Sequence, residues 1–175
     1  MPGMSEVAKR SREITNAAGI AGSWASSPSV RRTMQSNRKW NTKPELAVRR
    51  ALHKLGLRYR IHTVPGQAAS CIADVVFPTE RVAVFIDGCF WHGCNLHTVP
   101  PRTNQEYWVH KIQGNRRRDA ETDRLLADAG WLSIRVWEHE DPKRAADRIS
   151  HEIRRRRPAT LRQLRERQRS EGSSA

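Results

Sequence analysis

The run Val82-Ala83-Val84-Phe85-Ile86 is the longest unbroken apolar stretch in the chain, and it leads directly into Asp87-Gly88-Cys89-Phe90-Trp91-His92-Gly93-Cys94-Asn95-Leu96-His97. Five apolar residues in a row, bounded by turn-forming ones, read as a strand buried on both faces. A strand covered on both faces needs layers above and below it, so the chain is expected to fold as a sheet between helices. The end of that strand delivers two thiols and two imidazoles within one short loop.

The flanking segments supply the remaining layers. Thr42 and Glu45 fit a capping box, Pro44 is tolerated in a first helical turn, and Val48, Ala51, Leu52 and Leu55 recur at helical spacing, predicting a helix over 43–55 that Gly56 stops. Leu57, Tyr59 and Ile61 alternate with Arg58, Arg60 and His62, the mark of a half-buried strand, before Val64-Pro65-Gly66 turns the chain. Ile72 to Phe77 and Val82 to Ile86 read as a hairpin across residues 78–81. Thr103 with Glu106 predicts a second capping box, opening a helix through Trp108, Ile112, Leu125 and Leu126 that Gly114 divides in two and Gly130 ends. Leu132, Ile134 and Val136 alternate in a last strand, and Asp141-Pro142 starts a helix with Ala145, Ile149 and Ile153 inward, which Pro158 ends. The order αβββαβα predicts an α/β fold with a mixed central sheet and helices on both faces.

At 175 residues the chain has room for one domain and tails. Its formal net charge is +14, and the excess is unevenly placed. Residues 1–40 carry seven basic and two acidic side chains and residues 152–175 eight and three, whereas residues 41–151 carry 17 and 13. This predicts a disordered basic arm over 1–28 with a short helix near Val30 to Ser36, a folded domain over 29–157 and a basic tail over 158–175. A balanced body with basic ends points to a polyanion, each phosphate contact adding salt-sensitive affinity. Solvated helix faces and tails are the plain alternative. No apolar run approaches the ~20 residues of a membrane span, and Lys9, Arg10 and Arg12 precede no apolar stretch, so a cytosolic protein is expected. Three cysteines in such a setting point to metal ligation or burial and not to disulfides.

Cys89-x4-Cys94-x2-His97 offers three ligands of the kind a tetrahedral zinc takes, and His139, just past the last strand, is the expected fourth. The alternative is a loop of buried thiols with incidental imidazoles. His92 lies between the two thiols but is surplus to a closed four-ligand site, which leaves it for acid–base work or for a structural hydrogen bond. Asp74 sits among Val75, Val76 and Phe77, where a carboxylate needs a cation, either an arginine or a metal, to offset its desolvation. A carboxylate beside a strand end is what a Mg²⁺ ion in a nuclease requires. Glu45 has both a capping and a catalytic reading.

The residues Val84-Phe85-Ile86-Asp87-Gly88-Cys89-Phe90-Trp91-His92-Gly93-Cys94, with Tyr107-Trp108, Lys111-Ile112, Asn115, Arg118-Asp119, Gly130-Trp131 and Val136-Trp137-Glu138, resemble the very-short-patch-repair (Vsr-type) DNA mismatch endonucleases from about Val30 to Glu140. The resemblance implies a restriction-endonuclease-like fold of the PD-(D/E)xK superfamily that nicks DNA beside the thymine of a T:G mismatch left by 5-methylcytosine deamination. It implies Asp74 as the Mg²⁺ ligand with the backbone carbonyl of Ile86, His92 as the catalytic histidine and Glu45 near the active site. Asp87 joins the catalytic group, standing where well-known members have a second histidine. Cys89, Cys94, His97 and His139 match structural Zn²⁺ ligands, the fourth being cysteine in some members. Phe90, Trp91 and Trp108 match aromatics that intercalate beside the mismatch, and Lys111 and Asn115 match groups near the mismatched bases. The implied protein is a monomer in the bacterial cytoplasm, associated with the nucleoid, whose partners are mismatched duplex DNA and mismatch-repair proteins. Two other readings stand beside it: a non-catalytic zinc-containing DNA-binding module, and a nuclease of the same fold without mismatch dependence.

Overall fold

The computed structural model describes residues 40–66, 71–99 and 104–172, with side chains up to residue 157. The arm over 1–28 and the short helix near Val30 to Ser36 lie outside the described residues. Within them the elements are α1 (Lys43–Lys54), β1 (Arg60–Thr63), β2 (Ala73–Phe77), β3 (Val82–Asp87), α2 (Cys89–His92), α3 (Gln105–Asp128), β4 (Leu132–Trp137) and α4 (Pro142–Gly172). The sheet runs β1-β2-β3-β4, antiparallel across the first two pairs and parallel between β3 and β4. The mixed α/β expectation holds.

Helices cover both faces. α1 and α4 put Val48, Leu52, Ala145, Ala146, Ile149 and Ile153 against Val75, Phe77, Val84 and Val136. On the opposite face Leu126 of α3 packs with Ala73, Val76, Ala83 and Phe85. Each large apolar side chain removed from water contributes roughly 1.5–3 kcal/mol, and this double burial is why β3 has no polar residue before Asp87. The capping box at α1 forms: the Glu45 N–H donates to Thr42 Oγ1 at 3.4 Å, while Glu45 accepts from the Thr42 hydroxyl at 2.9 Å and from the Asn41 N–H at 2.8 Å.

Four expectations are corrected. β1 begins at Arg60, and its alternation breaks at its end, where Ile61 is exposed and His62, in a left-handed conformation with φ 47°, is half-buried. The box at Thr103 and Glu106 does not start α3: the N-cap is Asn104, itself left-handed, with no side-chain cap bond. Gly114 does not divide α3, because one glycine costs only about 1 kcal/mol against 24 residues that bury a stripe of side chains. Pro158 does not end α4, which continues to Gly172. Proline removes one hydrogen bond, but its φ suits a helix and the Leu, Arg, Gln and Glu residues that follow are strong helix formers.

Candidate active site and metal-ligand clusters

The parallel register of β3 and β4 pairs Asp87 with Trp137, an offset of 50 residues, and the same offset carries past the strand ends to set Cys89 beside His139. The Cys89 sulfur lies 3.0 Å from His139 Nδ1. Cys94 lies 3.7 Å from His97 Nδ1 and 3.8 Å from His139 Nδ1, and all four donors fall within 4.8 Å of one another. A tetrahedral ion with bonds of ~2.0–2.3 Å needs donors spaced by roughly 3.3–3.8 Å, so two sulfurs and two imidazole nitrogens at these separations fit zinc. Burial and the neighbouring Cys94 push the Cys89 thiol up to about 11. Gly93 makes the tight loop possible: its φ is 66°, and a Cβ there would stand 2.6 Å from Ile112 of α3.

On the other side of α2 a cleft of about 940 Å³ is lined by Glu45, Asp74, Ile86, Asp87, Trp91 and His92. Asp74 accepts from the Ile86 N–H at 2.7 Å. Burial pushes its carboxyl up to about 6, the Ile86 N–H opposing and Glu45 reinforcing the shift. A raised folded-state pKa means that protonation favours the folded protein. The resulting stabilisation is present below the unfolded value near 4 and is lost as pH rises through about 6. In cation-free protein we therefore expect Asp74→Asn to be nearly neutral at pH 4 and stabilising by about 3 kcal/mol at pH 7, measured as the difference in unfolding free energy from wild type. A difference independent of pH would contradict it.

His92 Nδ1 lies 2.6 Å from an Asp119 carboxylate oxygen and 3.7 Å from Asp87. Arg135 ties this group together, meeting Asp87 at 2.9 Å, Asp119 at 3.2 Å and Asp123 at 3.1 Å, with its guanidinium 5.0 Å from the Phe85 ring centre. Burial raises the Asp87 pKa while Arg135 and His92 lower it, and the net direction is upward. An imidazole whose Nδ1–H is held by a carboxylate keeps its other nitrogen as a proton acceptor.

The sequence patterns assign no role to Asp119, Arg135 or His62. Asp119 had a signal, since Trp108, Ile112, Asn115, Asp119 and Leu126 share the inward stripe of α3. A carboxylate on an apolar stripe needs a partner. The Arg135 contacts depend on strand order, and the position of His62 depends on a backbone conformation that alternation does not foresee.

Phe90 and Trp91 on α2 form an edge-on cluster with Trp108, at ring separations of 5.3, 5.0 and 6.0 Å. Phe90 and Trp91 are half-buried, whereas Trp108 is buried. Asn115 is buried and donates to the Trp91 carbonyl at 2.6 Å, and Lys111 lies half-buried one turn earlier. The main chain of Cys89 donates to Glu138 at 2.6 Å, fixing the start of α2 to the end of β4. Among the described residues no helix is long and apolar enough to cross a membrane.

Comparison with known proteins relates the chain to a nuclease family. The family model described as DNA mismatch endonuclease Vsr matches residues 26–98. The type II nicking enzyme V.NaeI of Lentzea aerocolonigenes is 49% identical over 112 residues, 63% of this chain and 68% of that protein. V.XorIIP, a type II nicking enzyme of Xanthomonas oryzae, is 43% identical over 119 residues, 65% of this chain and 83% of its own length. The DNA mismatch endonuclease Vsr of Escherichia coli is 37% identical over 87 residues, 47% of this chain and 52% of that protein.

Proposed function

This chain belongs to the Vsr family of DNA mismatch endonucleases, and from that premise we propose that it nicks one strand of duplex DNA beside the thymine of a T:G mismatch, by metal-assisted hydrolysis on a restriction-endonuclease-like fold. The observation that carries this reading is the shared cleft: Asp74 and His92 line one cavity, and His92 is held by Asp119 at 2.6 Å. A DNA-binding module has no need of a half-buried carboxylate facing phosphate, which it repels.

In this reading Asp74 and the Ile86 carbonyl hold Mg²⁺, with Glu45 beside them. Mg²⁺ held there would polarise the scissile phosphate and stabilise the departing 3′ oxygen. His92 takes a proton from the attacking water, and Asp119 fixes the ring and stabilises the imidazolium that forms. Asp87 is bound to Arg135 through both carboxylate oxygens, so its role is to set the position of His92 and not to act as a second base. Zn²⁺ at Cys89, Cys94, His97 and His139 is structural and pins α2. Phe90 and Trp91 wedge the duplex open with Trp108 behind them, and unstacking of a few kcal/mol per step is offset by stacking on the rings. Asn115 anchors the wedge through the Trp91 carbonyl, with Lys111 near the bases. The basic termini add phosphate affinity or engage repair proteins.

The test is to compare nicking of otherwise identical T:G, T:A and C:G duplexes. We expect cleavage of the T:G duplex alone. Equal rates on all three would leave a nicking enzyme without mismatch dependence, and binding without cleavage of any would leave a DNA-binding module.

A further inference from the structure

Glu45, His62 and Asp74 form a second donor cluster, with one ligand atom from each within 4.8 Å of the others. The three come from α1, β1 and β2, and two of them, Glu45 and Asp74, line the cleft that holds His92. His62 arrives by a departure from strand geometry. Its neighbours Ile61 and Thr63 pair with Val75 and Ala73, yet its own φ of 47° takes it out of the extended form. A non-glycine residue in that region is uncommon and carries a strain cost of order 1–3 kcal/mol, so something must hold it there. Trp40 packs on the imidazole with ring centres 4.5 Å apart, and Nε2 lies 3.5 Å from Glu45 Oε2. Glu45 is itself held rigidly, accepting from the Thr42 hydroxyl with one oxygen and from the Asn41 N–H with the other. An ionised carboxylate has about four lone-pair sites, so the cap leaves donor capacity on both oxygens.

Resting on the metal-dependent reading above, we propose that His62 is a direct ligand of the catalytic divalent cation, adding an imidazole to Glu45, Asp74 and the Ile86 carbonyl, a donor set that accepts Mg²⁺ but binds Mn²⁺ or a later first-row ion more tightly. Octahedral bonds of ~2.1 Å place neighbouring donors roughly 3 Å apart, close to the 3.5 Å between His62 and Glu45. Mg²⁺ is served by oxygen donors and water, whereas imidazole nitrogen adds affinity for transition ions. A His–Glu ion pair alone would account for the 3.5 Å contact, but not for the convergence of Asp74 on the same point, since Asp74 adds a second negative charge.

The experiment uses full-length protein loaded with zinc, so that His97 and His139 are occupied, and titrates it with Mn²⁺ and separately with Mg²⁺ by calorimetry. Electron spin-echo spectra of the Mn²⁺ form report directly bound nitrogen. We expect one Mn²⁺ site with a histidine nitrogen signal. His62→Ala should erase that signal and weaken Mn²⁺ binding tenfold or more, on the order of the loss caused by disturbing even an outer-shell partner. Mg²⁺ affinity should change by no more than about threefold. His62→Gln, which retains a side chain of similar length, should keep the fold and show the same loss of signal. Mn²⁺ bound without a nitrogen signal, or with affinity unchanged in both variants, would overturn the proposal. Asp74→Asn separates this from the wider reading. If it too leaves Mn²⁺ and Mg²⁺ binding unaltered, the catalytic metal site is not at Asp74 at all, whereas loss in Asp74→Asn with none in the His62 variants overturns His62 alone.

Discussion

Replacing Asp74 with alanine is expected to abolish cation-dependent nicking while leaving the affinity for duplex DNA equal or higher. The carboxylate is half-buried where its charge is already disfavoured, its pKa being raised to about 6 mainly by loss of solvent. In the proposed reading DNA brings further negative charge to the same cleft. Without a bridging cation, deleting the carboxylate relieves repulsion, and with one it removes the cation's proposed ligand. The alanine variant also strands the Ile86 N–H that Asp74 accepts, at a cost of about 1–3 kcal/mol. Asp74→Asn keeps an acceptor for that group, so the pair separates folding from chemistry. His92→Ala should slow nicking by roughly 10²–10⁴-fold, the contribution expected of a general base, with little change in binding. Measured together by nicking rates and filter or anisotropy binding, these outcomes define an enzyme. Loss of binding alongside activity in both Asp74 variants, with folding intact, would mean that the carboxylate positions DNA and performs no chemistry.

The second large effect is on stability. Purified protein should contain one zinc per chain, and Cys94→Ser should lose the metal together with the ordered conformation of residues 88–99, not merely activity. Structural zinc contributes apparent binding free energies of about 10–16 kcal/mol, comparable with the whole stability of an ordinary domain. Here the four donors join the loop after β3 to the turn after β4, so their release frees both strand ends and the start of α2. Elemental analysis and thermal melts in the presence of a chelator measure it. Absence of stoichiometric zinc would refute the assignment. Retention of zinc and full thermal stability in His139→Ala would remove only the fourth ligand.

The elements that were legible in the sequence are those fixed by near neighbours. The box of Thr42 and Glu45 sets the start of α1 because donor and acceptor are three residues apart. β3 is recognisable because burial on both faces leaves only apolar residues from Val82 to Ile86, ahead of Asp87 at its end. Cys89, Cys94 and His97 converge because a tight loop over nine residues leaves them little room to diverge. Neighbour patterns also misled where one breaking residue was outweighed by the rest of its helix, by burial along α3 and by strong helix formers in α4. Gly114 and Pro158 are helix breakers by propensity, yet α3 and α4 run through them.

What the chain's sequence determined by itself is a helix-flanked mixed sheet ending in a loop of metal-type ligands, together with Asp74 and His92 as residues needing partners. The tertiary structure alone decided who those partners are. His139 reaches Cys89 only through the 50-residue offset of the parallel β3–β4 pair, the same pairing brings Arg135 to Asp87, and the packing of α3 on the sheet adds Asp119. His62 joins Glu45 and Asp74 through one left-handed residue at the sheet edge. Hydrogen-bond caps, periodicity and loop spacing act over a few residues and are written where they act. Strand register and backbone strain are settled by the burial of the whole sheet between its helices, a sum over contacts distant in sequence that no single segment encodes.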